Sequence, residues 1–390
     1  MTVLSHARDK GSSAPAELSK RKHFTRRSFL STLATASAIP LLSSASDRYL
    51  KIVHAAESDL RDLAAQKGLI YGCATTQDHL SADPEFARLV ADQCGLLVPE
   101  NALNWKYTEP NQGHFDFHLG DWMAHFAKDH NMKFGGGTLV WHQGLPSWFS
   151  SLAQGAAKEA MVNHVTQSIS HFRGQAYSWA VANEAVAFRD AGTDLKNTPF
   201  LQLVGPDYIE EAFRAAAAAD PSALLIYNDN HLEYDIPEDN HRRPTLLKLL
   251  KSYVANKTPI GALGIQSHLN TGGVPFNSGK LKDFLNAVSD LGLKIIISEL
   301  DVTEKGSETA LADRDRAIAN EITRYLDVVL QNKSVIGVVN WGLSARYSWL
   351  TSFAPRPDGQ PVRPLPYDSN LHPTQAWQAI AAAFERAPSR

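Results

Sequence analysis

The sequence is poor in cysteine, in long apolar runs and in net positive charge. Its 390 residues include two cysteines, Cys73 and Cys94, which are too few for a disulfide scaffold or a cysteine-built metal site. We expect both to be packing residues, because they fall at opposite ends of neighbouring predicted strands, which disfavours a bond between them. No segment reaches the roughly 18 apolar residues that a membrane span needs. Stable insertion into a membrane is therefore not expected.

Residues 1–56 differ in composition from the rest of the chain. They hold nine of the 38 basic residues and three of the 41 acidic ones, so residues 57–390 carry a net charge of about −9. Such a balance argues against nucleic acid as a partner. Arg26-Arg27 precede Phe29-Leu30 and a small-residue, apolar run from Ser31 to Leu42, which is the form of a twin-arginine export signal. We predict a signal peptide and N-terminal extension at residues 1–56, export by the twin-arginine machinery, and a periplasmic or secreted protein.

Short apolar segments alternate with longer helix-like segments along residues 57–390, and strand candidates recur eight times. They are residues 68–75, 96–101, 133–141, 178–184, 224–229, 261–269, 294–302 and 335–343. Helical patterns lie between them, such as residues 208–219, capped by Asp207, and residues 314–330. Alternation of this kind indicates a parallel sheet, and eight units indicate closure. The sequence predicts an α/β fold, a (β/α)8 TIM barrel, as a single domain and a monomer.

Seven of the eight predicted strands end in polar or aromatic side chains. They are Glu100, Asn101, Trp141, His142, Asn183, Glu184, Asn228, Asp229, Gln266, His268, Glu299, Asp301 and Trp341. A single residue of this kind is more often a cap or a satisfied core group. In a (β/α) barrel, however, the C-terminal ends of the strands hold the active site. Agreement at seven strand ends therefore indicates a functional site.

Two glutamates among these residues could cleave a glycosidic bond. Glu184 ends the fourth predicted strand and Glu299 the seventh, so they face each other across the ring. Retaining cleavage needs a carboxylic acid to protonate the leaving oxygen and a carboxylate about 5 to 5.5 Å away to attack the anomeric carbon. Asn183 could bond a neighbouring sugar hydroxyl. Asp301 and His268 could form an Asp–His–Glu chain that orients Glu299, the alternative for Asp301 being a helix or loop cap.

The tryptophans favour a sugar as the substrate, because flat rings stack on the apolar faces of pyranoses. Five lie at or just beyond predicted strand ends, of which we expect one or two to be structural: Trp105, Trp141, Trp148, Trp341 and Trp349. The sequence has no phosphate loop, dinucleotide fingerprint or clustered metal ligands, so no cofactor is expected. The alternative, a metal held by His142, His268 and Glu299, is disfavoured because His142 directly follows a stacking tryptophan.

With these residues the sequence resembles glycoside hydrolase family 10, the endo-1,4-β-xylanases, from about Asp62 to Ala382. The motifs are Val98-Pro99-Glu100-Asn101 with Trp105, Glu109-Pro110, Thr138-Leu139-Val140-Trp141-His142, Asn183-Glu184-Ala185, Asn228-Asp229, Gly264-Ile265-Gln266 with His268, Ser298-Glu299-Leu300-Asp301, and Trp341-Gly342 with Ser348-Trp349. The resemblance implies a catalytic domain, retention, no obligatory cofactor, a polysaccharide or oligosaccharide substrate, Glu184 as acid/base and Glu299 as nucleophile. It places around the sugars Glu100, Asn101, Trp141, His142, Asn183, Gln266, His268, Trp341 and Trp349.

Four positions depart from the usual pattern of the family. The family usually has Lys at Asn104, His at Gly137, Gln at Gly144 and Asp at Ala345. The first three lie near the sugars on the non-reducing side, and each lost hydrogen bond weakens binding of ordinary xylan by about 0.5 to 3 kcal/mol. The space beside the glycines at 135–137 and 144 could instead accept a bulkier, branched or different sugar, or neighbouring side chains could fill it.

The leading hypothesis is a retaining endo-1,4-β-xylanase that hydrolyses internal β-1,4-xylosidic bonds of xylan by double displacement. One alternative is a retaining β-glycosidase that acts on a different or branched glycan, and substrate profiling separates these two. The other alternative is a carbohydrate-binding protein without catalysis. A binding protein has no use for an attacking carboxylate, so the retained pair of glutamates argues against it.

Overall fold

Residues 58–390 are the part of the chain that the computed structural model describes. The predicted export signal at residues 1–56 lies outside it. Within the described part, no helix is both long enough and apolar enough to cross a membrane.

A closed barrel of parallel strands forms the centre of the molecule. The strands are β1 (Ile70–Thr75), β2 (Leu96–Pro99), β3 (Lys133–Val140), β4 (Ala176–Asn183), β5 (Leu224–Asp229), β6 (Ala262–Ile265), β7 (His268–Asn270), β8 (Lys294–Thr303) and β9 (Val335–Trp341). Each barrel strand pairs with its neighbours in chain order, except that β6 pairs directly with β8, and β1 pairs with β9 to close the ring. The predicted (β/α)8 barrel is confirmed.

Helices surround the barrel and connect its strands. They are α1 (Leu60–Ala65), α2 (Gln77–Ala82), α3 (Pro84–Gln93), α4 (Trp105–Thr108), α5 (His118–Asp129), α6 (Gln154–His171), α7 (Pro199–Leu203), α8 (Tyr208–Ala219), α9 (Pro237–Ala255), α10 (Ser278–Asp290), α11 (Leu311–Val329), α12 (Leu350–Phe353) and α13 (Gln375–Arg386). Helix α8 has the predicted bounds, although the side chain of Asp207 makes no capping hydrogen bond. The helix predicted at 314–330 begins three residues earlier, at Leu311.

The sixth predicted strand, residues 261–269, is divided in the structure into β6 and β7. Ser267 separates them with a left-handed backbone conformation, φ 63°, which costs free energy for a residue with a Cβ. Its N–H donates to Glu233 Oε1 (2.9 Å), and its hydroxyl bonds Tyr325 Oη (2.7 Å). The break places His268 opposite Asp301 on the extension of β8.

Cys73 and Cys94 are both buried and carry free thiols. The expectation that they lie at opposite ends of neighbouring strands is wrong, because Cys94 follows α3 at its C-terminal end and lies against Cys73. Burial, and then the contact with Cys73, raise the pKa of the Cys94 thiol. Both cysteines pack in the core between the barrel and its helices.

Candidate active site

A cavity opens at the C-terminal ends of the barrel strands, with about 780 Å³ of empty space including its mouth. Seven of the predicted site residues line it: Glu100, Asn101, Trp141, Asn183, Glu184, Glu299 and Trp341. The other five, His142, Gln266, His268, Asp301 and Trp349, contact this group through hydrogen bonds or charge interactions. The structure therefore brings the whole predicted set together at the C-terminal end of the barrel, where Trp349 joins it from the residue before α12.

Glu184 follows directly on β4 and has a left-handed backbone, φ 55°. Its Oε1 accepts a hydrogen bond from Gln266 Nε2 (3.0 Å), and its Oε2 lies 3.5 Å from Lys196 Nζ. Burial raises the pKa of Glu184, but the bond from Gln266 and the charge of Lys196 lower it further, so the net shift is below the ordinary value. Both oxygens thus face donors or a cation.

Lys196 is a site residue that sequence reasoning missed. It lies in the long loop between β4 and α7, and only 11% of its side chain is exposed. Its Nζ stands 5.1 Å from the ring centre of Phe188. Burial, followed by the charge of Lys196, lowers the pKa of His142. No periodicity or motif marks a lysine in a loop that returns to the strand end, so the sequence carried no signal for it.

Glu299 is held at both carboxylate oxygens. Oε1 accepts from Asn228 Nδ2 (2.7 Å), and Oε2 lies 3.1 Å from His268 Nε2. The register of β8 against β9 shifts between Ile297 and Leu300, which are the positions that flank Glu299. Only 9% of the Glu299 side chain is exposed. These contacts fix its orientation towards the cavity.

The predicted Asp–His–Glu chain is present. Asp301 Oδ1 lies 2.8 Å from His268 Nδ1, and Trp349 Nε1 donates to Asp301 Oδ2 (2.7 Å). Burial lowers the pKa of His268, but Asp301 and then Glu299 raise it well above its ordinary value. Because both oxygens of Asp301 are used here, the alternative cap role for this residue is wrong.

Amide side chains connect the two glutamates. Asn183 Oδ1 accepts from Asn228 Nδ2 (3.0 Å) and from Gln266 Nε2 (3.3 Å). Those two donors also bond Glu299 and Glu184 respectively. Asn228 was predicted to lie at the site because it ends a strand, but it was not among the residues that the family resemblance places around the sugars. The two carboxylates are therefore connected through Asn183 Oδ1, the acceptor that the two donors have in common.

The tryptophans divide into two groups. Trp141 and Trp341 line the cavity, and the Trp141 side chain is close enough to Glu184 to contribute to lowering the pKa of that carboxyl. Trp105 is 1% exposed, stacks on His164 at 4.2 Å and donates to Glu109. Trp148 packs edge-on against Trp105. Two of the five are therefore structural, as expected.

Asn104 stands where the family usually has lysine, and its polar atoms are used within the protein. Its Oδ1 accepts from Thr138 Oγ1 (3.0 Å) and its Nδ2 donates to Asn101 Oδ1 (3.1 Å). The residue is 2% exposed. A Cβ added at Gly144 would meet Trp141 at 3.3 Å and Asn104 at 3.5 Å. These two positions therefore leave no enlarged space for a sugar.

The glycines of β3 have different surroundings. A Cβ at Gly136 would lie 2.4 Å from the Trp179 ring, and one at Gly137, where φ is +119°, would lie 2.7 Å from the Ala180 carbonyl oxygen. Both allow β3 to approach β4 closely, so at these two positions the place of a side chain is filled by β4, which favours the alternative that neighbouring residues fill the space. Gly135 instead faces the barrel interior, where its added Cβ would meet Val98 at 3.1 Å and Ser178 Oγ at 3.4 Å.

The structure of residues 58–390 gives no support to a metal held by His142, His268 and Glu299. Between residues 58 and 390 no three His, Cys, Asp or Glu side chains are grouped to hold a metal ion. Both ring nitrogens of His268 contact carboxylates instead.

Paired carboxylates at a barrel mouth, oriented by amides and flanked by indole rings, suit the cleavage of a bond between sugars. Fold and site together define a glycoside hydrolase. Residues 59–383 match the model of the family described as Glycosyl hydrolase family 10. The chain belongs to this family.

Relatives and solved structures of the family resemble most of the chain. Endo-1,4-beta-xylanase 1 of Humicola insolens is 33% identical over 338 residues, which cover 84% of this chain and 75% of that protein. The native xylanase 10B of Thermotoga maritima superposes with a TM-score of 0.76 at 27% identity, over 84% of this chain and 98% of that chain. Xylanase 10B of Thermotoga petrophila RKU-1, solved in complex with xylobiose, gives a TM-score of 0.76 at 28% identity, over 84% of this chain and 97% of that chain.

Proposed function

We propose that the protein is a retaining endo-1,4-β-xylanase, with Glu184 as the general acid/base and Glu299 as the nucleophile. The relatives named as xylanases support the substrate. The observation that carries the assignment of roles is the difference between the two carboxylates. Glu299 is fixed at both oxygens, whereas Glu184 has one hydrogen-bonded oxygen and one oxygen 3.5 Å from a cation.

In the first step, Glu299 attacks the anomeric carbon of the sugar at the cavity while protonated Glu184 gives its proton to the departing glycosidic oxygen. A covalent glycosyl-enzyme forms and the aglycone leaves. Asn228 and His268 hold the attacking carboxylate in place, so little reorganisation is needed to reach the transition state.

In the second step, Glu184 takes a proton from water, which attacks the glycosyl-enzyme and releases Glu299. The charge of Glu299 is neutralised in the ester, and the loss of a nearby negative charge lowers the pKa of Glu184 when it must act as a base. Lys196 and Gln266 favour the ionised form that this step requires.

The first experiment is the release of reducing ends from linear xylan by residues 57–390, with Glu299→Ala as the blank. We expect short xylo-oligomers from the parent protein and a decrease of more than about a thousandfold in the variant. Absence of release by the parent protein would contradict the xylanase proposal. Binding of xylan without turnover would indicate the binding-protein alternative.

Azide separates the roles of the two glutamates. With an aryl xylobioside whose leaving group needs no proton, Glu184→Ala should accumulate glycosyl-enzyme, which azide attacks without a base to give a β-glycosyl azide. In Glu299→Ala, azide should occupy the place of the nucleophile and give the α-glycosyl azide. Product configuration is measured by NMR, and reversed configurations would reverse the assignment.

We also propose that residues 1–56 direct export by the twin-arginine route, on the basis of Arg26-Arg27 and the run that follows. A fusion of residues 1–56 to a folded fluorescent reporter should reach the periplasm. Replacing Arg26-Arg27 by two lysines should retain the reporter in the cytoplasm. Export of the lysine variant at the parent level would contradict this proposal.

A further inference from the structure

The break between β6 and β7 lies between two residues that contact the glutamates of the site. Gln266, directly after β6, donates to Glu184 Oε1 (3.0 Å). His268, the first residue of β7, has its Nε2 3.1 Å from Glu299 Oε2. Ser267 lies between them, so its backbone conformation sets the relative orientation of the two side chains. The position of this one residue therefore affects a contact of each glutamate.

Ser267 has a backbone conformation that is unfavourable for serine. Its φ of 63° lies in the left-handed region, which residues with a Cβ rarely adopt. A residue in such a conformation persists only where the surrounding contacts hold it there, and residues of this kind cluster at functional sites. The conformation of Ser267 therefore depends on its hydrogen-bond partners.

Two buried side chains from different elements hold Ser267. Its N–H donates to Glu233 Oε1 (2.9 Å), in the loop after β5, and its hydroxyl bonds Tyr325 Oη (2.7 Å), on α11. Glu233 is 4% exposed and Tyr325 is 1% exposed. Neither residue lines the cavity at the barrel mouth. Any effect of these two residues on the reaction therefore passes through Ser267.

The loop that carries Glu233 is itself held by α9. Its second carboxyl oxygen, Oε2, accepts from the N–H of Leu232 (2.8 Å). Arg243 donates to the carbonyl oxygens of Leu232 (3.0 Å) and Tyr234 (2.8 Å), on either side of Glu233. The N–H of Tyr234 donates to Asp239 Oδ2 (2.7 Å). Because Arg243 and Asp239 are buried residues of a long helix, Glu233 is a fixed anchor.

We propose that Glu233 is a positioning residue, which holds Ser267 in its left-handed conformation and so aligns the two neighbouring side chains that contact the glutamates of the site. This inference rests on the proposed function, in which both glutamates act. Alignment of reacting groups matters most in the transition state, where a displacement of about 1 Å can lower the rate about a hundredfold. Loss of the anchor should therefore lower kcat and leave KM nearly unchanged.

The test is Glu233→Gln, which keeps the size of the side chain and replaces one accepting oxygen by an NH2 group. On linear xylan we expect kcat to fall about ten- to hundredfold, while KM changes less than about twofold. On an aryl xylobioside whose leaving group needs no proton, kcat/KM depends on Glu299 without the acid, and it should fall about three- to tenfold. A fall on xylan alone would overturn the inference, because the alignment of His268 would then not depend on Glu233.

The matched control is Asp220→Asn, which makes the same chemical change at another buried carboxylate. Asp220 is 1% exposed and also accepts from two backbone N–H groups, those of Gly174 (3.1 Å) and Ser222 (2.9 Å). It precedes β5, at the opposite end of the barrel from the site. At a temperature where circular dichroism shows all proteins to be folded, it should keep kcat and KM. Equal losses of kcat in the two variants would show a general effect of destabilisation and overturn the inference.

Tyr325→Phe takes the place of Glu233→Gln if the glutamine variant does not fold. It removes the hydroxyl that holds Ser267 from the other side, so the same pattern is expected with a fall of about two- to fivefold. Unchanged constants in folded Glu233→Gln, or in Tyr325→Phe where it is used instead, would overturn the inference and leave the xylanase proposal intact. A parent protein that cleaves neither substrate would overturn both.

Discussion

The orientation of Glu299 depends on a chain of hydrogen bonds that begins outside the cavity, at Trp349, and runs through Asp301 and His268. Asp301→Asn removes the charge opposite the imidazole, so the pKa of His268 falls and the ring is held less firmly. We expect kcat on xylan to decrease about ten- to hundredfold, the range for a hydrogen bond to a charged group.

The matched control for this change is Asp327→Asn, which removes a carboxylate from a surface ion pair with Arg386. It should leave kcat unchanged. Unchanged kcat in Asp301→Asn would show that His268 and Asn228 hold Glu299 without help from the aspartate.

Lys196 affects the pKa of Glu184, the proposed general acid. The general acid must be protonated, so the alkaline limb of the pH–rate profile follows the pKa of Glu184, which Lys196 lowers after Gln266. In Lys196→Met that pKa rises, and we expect the alkaline limb of kcat/KM to move to higher pH. The acidic limb should not move.

Lys158→Met is the control for Lys196→Met, because Lys158 forms a surface ion pair with Glu211. Its profile should match the parent. An alkaline limb that stays in place in Lys196→Met would contradict the proposed role of Glu184 as the acid or the influence of the lysine on it.

Among the larger elements, a buried ion pair ties α9 to β5 and to the loop that follows Glu184. Arg242 is 0% exposed, pairs with Asp229, and donates to the carbonyl oxygens of Val186 (3.0 Å) and Asn230 (3.1 Å). Arg242→Met leaves Asp229 as an uncompensated buried charge. We expect the free energy of unfolding in urea to fall by about 3 to 5 kcal/mol.

Arg386→Met removes one partner of an exposed ion pair and should cost less than about 1 kcal/mol. Equal effects of the two arginine variants would mean that the buried pair is replaceable by apolar packing. If Arg242→Met keeps its stability but loses activity, the main role of Arg242 is to position the loop that follows Glu184.

The division of the sixth predicted strand shows a feature that apolar alternation in the sequence cannot predict. Apolar alternation through residues 261–269 predicted one strand, and the pattern is indeed continuous. The break at Ser267 follows from contacts with Glu233 and Tyr325, which lie 34 and 58 residues away in the chain. Local periodicity contains no information about such partners.

The acid stability of the whole barrel depends in part on His164. It is fully buried, and burial lowers its pKa to about 3. Below the ordinary pKa of about 6.5, the unfolded chain binds a proton that the folded chain does not. The free energy of unfolding should therefore fall as the pH decreases from 6.5 towards 3. His164→Gln, which cannot be protonated, should flatten this part of the profile.

The control is His125→Gln, at an exposed position on α5, and it should keep the slope of the parent. Urea unfolding at several pH values between 4 and 7 measures the slope. Identical slopes in the parent and His164→Gln would show that other groups govern the acid limb.

The sequence by itself determined the barrel, the strand ends that carry the site, and the Asp301–His268–Glu299 chain. Strand periodicity can be seen within short segments of sequence. In a closed parallel sheet the C-terminal ends of all strands lie at the same end of the barrel, whatever the conformation of the loops. Only the tertiary structure decided that Lys196 reaches Glu184, that Asn183 connects the amides that hold the two glutamates, and that Gly136 and Gly137 serve close packing. These depend on distances between residues far apart in the chain, which packing alone fixes.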